Sequence, residues 1–309
     1  MNLKKKASPK MRSIILGTRK SPLALRQADI VRSALHKQGY DDIEIKAYQT
    51  SGDLLTNAPL SEYGGKGLFT KEIEEALLRK EIDIAVHSMK DVETHPPEKL
   101  IISCILPREN PCDVLISKEN FTLENLPAGA TVGTSSLRRQ ALVLNLRPDL
   151  KIVPLRGNVG TRIQKIQEGV ADATILAYAG LSRLNQLENI IPLNIEAFTP
   201  ALAQGALGVQ CRRDDTQILE ILSRIHDKKT GLCIEIERTF LRALDGSCRA
   251  PIGGLAHYIN EEEISFTGFV SDPEGKQFQR KKIISPISKI LEDVLILGNT
   301  LRKWLEIYL

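Results

Sequence analysis

One local pattern recurs along this chain and narrows its fold more than any other feature. It is a short apolar run, a turn of small polar residues carrying arginine, and then apolar side chains at helical spacing. The stretch "SIILGTRKSPLALRQADIVRSALHKQG" shows it most fully. Ile14 to Leu16 read as a strand, and Ser21 with Pro22 as an N-cap and first helical position. Leu23, Leu25, Ala28, Ile30, Val31, Ala34 and Leu35 then form a helical apolar face that Gly39 ends. The order repeats in "ATVGTSSLRRQALVLNL", "KIVPLRGNVGTRIQKIQEG" and "ATILAYAGLSRL". Between the first unit and these lie "IEIKAYQT", a strand, and "TKEIEEALLRKEIDIAVHSMKD", a helix running into a strand. The alternation predicts an α/β architecture with largely parallel sheets. In such sheets ligands bind at the carboxyl ends of strands, where helix N-termini converge.

Two stretches depart from it. Residues 50–67, "TSGDLLTNAPLSEYGGKG", are glycine-rich and weakly periodic, and are expected to be a mobile loop over a site. From about residue 228 the style changes to a helix ("TGLCIEIERTFLRAL"), a tight loop ("GSCRAPIGG"), two strands joined by a hairpin-like "DPEGKQ", and a closing helix, which predicts a small α+β domain. The linker around Asp214 to Asp227 is not sharply marked. A chain of 309 residues exceeds one ordinary core and calls for two or three domains.

Several function classes fall away. Five cysteines with no C-x-x-C pair fit a reducing cytosol better than a disulfide framework or a zinc site, and five histidines show no metal-ligand spacing. No metal is expected. A net charge of +4 without basic blocks interleaved by aromatics gives no footing for nucleic acid. The N-terminal "MNLKKKASPKMR" lacks a following apolar region and reads as a disordered tail; no run approaches a membrane span. The expectation is a soluble, cytoplasmic protein, monomeric for want of a sustained exposed apolar face.

The chemistry-bearing residues sit where the fold would place a ligand. Arg19, Arg138, Arg139, Arg156, Arg162 and Arg183 come just after predicted strands or in the first turns of the following helix, beside Ser136, Gly157, Gly160 and Gly180. A helix N-terminus already carries partial positive charge, so paired arginines there call for an anion. Two guanidiniums ~7 Å apart repel by roughly 2 kcal/mol at an effective dielectric near 20. Carboxylate is at least as good a candidate as phosphate, because "GGKGLFTKE" lacks phosphate-loop spacing and "RGNVG" is too short for a dinucleotide fingerprint. Asp91 ends the apolar run in "DIAVHSMKD" with Lys90 beside it, placed to stabilise a positive charge or carry a proton. Cys248, in "DGSCRAPIGG" beside Arg249, is unlike the other four cysteines, which lie in or near apolar runs. A thiolate that holds something covalently is the natural inference, since no histidine partner of the protease kind is evident.

Eight motifs, "GTRKSPLAL", "GGKGLFTKE", "AVHSMKD", "GTSSLRRQ", "LRGNVGTR", "LAYAGLSRL", "AQGALG" and "GSCRAPIG", occur in the order found in the porphobilinogen deaminases, and from about residue 17 to 254 the chain resembles that family. The resemblance implies two α/β domains like those of periplasmic binding proteins, at 12–107 with 203–225 and at 108–202, and a small α+β domain at 226–309. It implies stepwise, deaminating condensation of four porphobilinogen molecules into hydroxymethylbilane, with a dipyrromethane cofactor in thioether linkage to Cys248. Lys90, Ser136, Arg138, Arg139, Arg156 and Arg162 would bind cofactor carboxylates, and Arg19, Ser21, Arg183, Lys66 and Phe69 the substrate. Asp91 would be catalytic. Where some relatives have a second loop lysine, this chain has Glu62. The rivals are a non-catalytic small-anion binder and a phosphosugar enzyme.

Overall fold

The computed structural model describes residues 12–54, 68–245 and 250–308, and three sheets organise them. The first contains β1 (Ile14–Arg19), β2 (Ile43–Tyr48), β3 (Ile84–Ser88) and β4 (Leu100–Ile105), with α1 (Pro22–His36), the single turn α2 (Ser51–Leu54) and α3 (Lys71–Leu78) between them. The second contains β5 (Asp113–Ser117), β6 (Thr131–Gly133), β7 (Lys151–Val153), β8 (Ala173–Ala177) and β9 (Ile191–Pro192), with α4 (Leu137–Leu146), α5 (Val159–Gln167) and α6 (Tyr178–Arg183). The chain then returns to the first sheet as β10 (Leu207–Arg212), followed by α7 (Thr216–Ser223). Helix α8 (Lys228–Ala243), strands β11 (Ile252–Tyr258), β12 (Glu263–Ser271) and β13 (Phe278–Pro286), and α9 (Ile290–Tyr308) complete it.

The two large sheets have the same plan. Their strand orders are β2-β1-β3-β10-β4 and β7-β6-β8-β5-β9. In each, four strands share one direction and the fifth, β10 or β5, lies antiparallel between two of them. That reversed strand is the first one after each crossover, and the second lobe is thus inserted as one continuous stretch between β4 and β10 of the first. All six residues of β10 are buried, as a central strand covered on both faces requires. The crossovers run side by side, with Leu106 N donating to Leu207 O at 3.0 Å and Glu109 N to Gly205 O at 3.2 Å. Gly205 has φ +88, and a Cβ there would lie 2.3 Å from Glu109 O, so only glycine fits.

Helix starts follow the local chemistry. The Ser21 hydroxyl accepts from Ala24 N at 3.3 Å and caps α1; Ser136 and Asn158 do the same for α4 and α5, through Arg139 N and Thr161 N. The stretch without clear signals, 214–227, holds α7, capped by Asp215.

The third sheet is antiparallel, in the order β11-β12-β13, and carries α8 and α9 over a core in which Phe240 and Phe266 meet edge to face at 5.0 Å. Strand β11 went unread because Gly253 and Gly254 mimic a turn; there they let backbone approach, and a Cβ on Gly253 would sit 2.8 Å from Pro200 O. The β12–β13 hairpin docks on α4, where Gln140 Nε2 donates to Pro273 O at 3.1 Å and Asn145 Nδ2 to Gly275 O at 3.0 Å. Among the described residues, no helix is long and apolar enough to cross a membrane.

Candidate active site

Four carboxyl ends of parallel strands carry the residues singled out above. β1 ends at Arg19, with Ser21 two residues on; β3 runs into a single 3-10 turn, Met89–Asp91; β6 leads through Ser136 to Arg138 and Arg139; β7 leads through Arg156 to Arg162. The lobes meet across this edge, where Gly180 of α6 faces the Leu23 side chain of α1.

The arginine pair is the most buried part, Arg138 being 5% and Arg139 6% exposed. The expectation of a bound anion is met first from inside the chain, by Asp113 at the start of β5, which is 0% exposed. Arg138 reaches its Oδ2 and Arg139 its Oδ1, each at 2.7 Å. Arg138 also donates to Thr199 O at 2.8 Å and Arg139 to Ile175 O at 2.7 Å. Burial alone would raise the Asp113 carboxyl, but Arg138 and then Arg139 hold it well below the ordinary carboxylate range. One carboxylate therefore serves two cations, and the trio keeps a net positive charge for a ligand. Burial lowers Arg138 despite Asp113.

Around this trio the other groups gather. Lys90 is open to solvent at the cleft surface yet ringed by protein. Burial, with Arg139 and Arg138 adding repulsion, brings its ammonium down to about 8, against the pull of Asp91 and Asp113. Arg162 donates to Gly157 O at 2.8 Å. Burial, then Arg139 and Arg156, lower it to about 10, and Asp91 opposes them. Arg139, Arg156, Arg162 and Asp91 thus share one electrostatic neighbourhood. Arg19 lies over the Phe69 ring, 4.4 Å from its centroid, a cation–π contact that braces the guanidinium. Nearby His87 is buried and brought to about 4 by that burial, so it is neutral; its Nε2 lies 3.0 Å from Gln210 Oε1.

Three expectations need adjustment or fall elsewhere. Ser21 and Ser136 accept helix-capping bonds through their hydroxyl oxygens, which leaves the O–H of each able to donate. Arg183 ends the six-residue α6 that follows β8 and donates to Gly205 O at 2.6 Å, in the crossover beside Glu109. Cys248, Lys66 and Glu62 lie outside the described residues. The four described cysteines are free and buried, and burial raises Cys104 and Cys233 to about 12 and Cys112 to about 11, so they are inert thiols. Among the described residues no cluster of potential ligands could hold a metal.

Asp113 and Gln204 were missed as site residues. The only signal for the first was a charge opening the apolar run "DVLIS"; the second stood inside the quoted motif "AQGALG".

Two α/β lobes of the same strand plan, with cations gathered at the edge where they meet and a small α+β domain added, define a three-domain protein of the α/β class. Family models make the assignment narrower. The model "Porphobilinogen deaminase, dipyromethane cofactor binding domain" matches residues 14–220, and "Porphobilinogen deaminase, C-terminal domain" matches residues 231–305. The chain belongs to the porphobilinogen deaminase family. It is 52% identical over 267 residues to the porphobilinogen deaminase of Nitrobacter winogradskyi, covering 85% of this chain and 84% of that one. With that of Alkaliphilus metalliredigens it shares 46% over 293 residues, 94% of this chain and 92% of the other. Among solved structures, an ancestral cationic amino acid solute binding protein is 17% identical with a TM-score of 0.42, covering 69% of this chain and 88% of that chain.

Proposed function

We propose that this protein is a hydroxymethylbilane synthase, a transferase that condenses four porphobilinogen molecules head to tail with loss of ammonia and releases the linear tetrapyrrole for porphyrin and heme biosynthesis. The observation that carries the reading is the cation cluster from both lobes, built on a single buried carboxylate, with Asp91 among its members. Each pyrrole of substrate and product bears an acetate and a propionate, so the growing chain is a polycarboxylate, the partner arginine forks bind best.

On this reading Lys90, Ser136, Arg138, Arg139, Arg156 and Arg162 hold the carboxylates of a dipyrromethane attached at Cys248. Arg19, Ser21, Arg183, Lys66 and Phe69 serve the incoming substrate. The cofactor, when bound, supplies the pyrrole carbon from which the chain is extended. Support for its placement comes from β11, which begins four residues after Cys248 and passes Arg138 so closely that a Cβ on Gly253 would lie 3.2 Å from Arg138 Cδ. Asp91 accepts from pyrrole N–H and balances the positive charge that forms as the amine departs. One such contact at ~4 Å is worth about 4 kcal/mol at an effective dielectric near 20.

The domain division 12–107 with 203–225, 108–202 and 226–309 is supported by strand membership of the three sheets. Reduced buried cysteines support a cytoplasmic setting. Intact mass tests the covalent part. Active protein is expected to be heavier than its sequence by two linked pyrrole units, and Cys248→Ser to remove the excess. Active protein at the sequence mass refutes it.

A further inference from the structure

Gln204 stands in the second crossover and is 1% exposed. The backbone on either side of it is left-handed, at Ala203 (φ +60) and Gly205 (φ +88). For alanine that conformation is strained, and it persists only where surroundings enforce it. Here the buried Glu237 carboxylate accepts from Ala203 N, and Arg108, bidentate on Glu237, donates from Nε to Gln204 O at 2.8 Å. The bend turns the Gln204 side chain inward between the lobes.

There the carboxamide has one workable orientation. Its Nε2 donates to Pro111 O at 2.8 Å and to Asp113 Oδ1 at 3.0 Å, and its Oε1 accepts from Lys90 Nζ at 3.3 Å. The opposite flip would set oxygen against a carbonyl and a carboxylate, and an NH2 group against an ammonium. Lys90 belongs to the first lobe, Asp113 to the second, and Gln204 to the strand of chain passing between them.

We propose that Gln204 is a positioning residue for the reaction: its carboxamide fixes the Lys90 ammonium against the Arg138–Asp113–Arg139 cluster of the other lobe and helps keep it protonated. The proposal rests on the site reading above and deepens it. The groups facing the ammonium are Asp91 on its own turn, Asp113 from β5, and Arg138 and Arg139 from α4. Burial and the two guanidiniums oppose its charge, the two carboxylates favour it, and an acceptor bonded to the charged form favours it too. Gln204 does this without adding a third negative charge beside Asp113.

The test titrates Lys90 in the holoenzyme through its 13Cε chemical shift, assigned by the resonance lost in Lys90→Arg, alongside the pH profile of kcat/KM with porphobilinogen. Gln204→Leu removes the acceptor, and Gln204→Glu sets a carboxylate in its place. Lys90 is expected to titrate about half a unit lower in the first and about one unit or more higher in the second. The alkaline limb of kcat/KM should move the same way in each. Opposite displacements from one position are not what loosened packing produces. Unchanged titration in both variants, or shifts of the same sign, overturns the proposal while leaving the function standing. If Gln204→Leu does not fold, Gln204→Glu decides alone. A parent protein that neither carries the extra mass nor consumes porphobilinogen overturns the functional reading instead, and the Lys90 titration still judges Gln204.

Discussion

Replacing Asp113 by asparagine removes the one buried anion that two buried arginines share. One guanidinium keeps a now uncharged oxygen and the other meets an NH2 group in place of its partner at 2.7 Å, and the arginines and Asp113 lie at no more than 6% exposure, so water cannot readily substitute. Removing one partner of a buried ion pair costs about 3–5 kcal/mol. The two cations left behind repel by about 2 kcal/mol at ~7 Å and an effective dielectric near 20. Asparagine keeps the volume and one acceptor, so a net loss of about 4 kcal/mol is expected, a large share of the 5–15 kcal/mol that holds most proteins folded. Urea unfolding in a Cys248→Ser background, where no covalent group contributes, should show the midpoint falling by about 1 M or more. Adding Arg139→Met to Asp113→Asn should return part of the loss, because the second cation then has no charge to repel. A loss under about 1 kcal/mol, or strict additivity in the double variant, would refute the claim that the trio is one electrostatic unit.

Asp91→Ala should keep the covalent mass but lose most turnover; unaltered turnover rejects its role. Gly275 has φ +68, and a Cβ there would lie 2.2 Å from Ala141 O. Gly275→Ala should therefore lift the hairpin from α4 and cost about 1–3 kcal/mol, read as a lower melting temperature; an unmoved melting temperature discounts the docking. Burial by the surrounding protein brings the Lys90 ammonium down to about 8 from its ordinary 10.5, and its exposure to solvent softens the effect. The unfolded chain thus holds more protons between these pH values, and the lysine's unfavourable contribution fades as pH rises through that window. Lys90→Met in the Cys248→Ser background should accordingly be more stable than its parent at pH 7, with the gap closing by pH 10.5; urea midpoints at both pH values decide it.

Much of the fold is local and could be read from the chain. Ser21 and Pro22 announce α1, and Arg19, Arg138, Arg139, Arg156 and Arg162 stand where strand ends give way, through turns of two to five residues, to helix starts. What could not be read is mostly long-range. Asp113 precedes Arg138 by 25 residues, and nothing in an apolar run tells which sheet it joins. The reversed, central placement of β5 and β10 is therefore invisible to periodicity, although the general α/β plan is not. Gln204 is defined by partners 91 and 114 residues away, across two lobes. Strand β11 was hidden because glycine serves close approach and turning alike. The family motifs located the site's edge, while its internal counter-ion needed coordinates.

The insertion of the second lobe between β4 and β10 also dictates an order of synthesis. The second lobe's five strands all lie between residues 113 and 192, so that sheet can close as soon as this stretch has left the ribosome. The first lobe begins emerging earlier yet must wait for β10, and β4 has no neighbour in its sheet until residues 207–212 arrive. The amino-terminal part of the protein is thus born with an open seam, an unpaired strand edge that only later translation can fill.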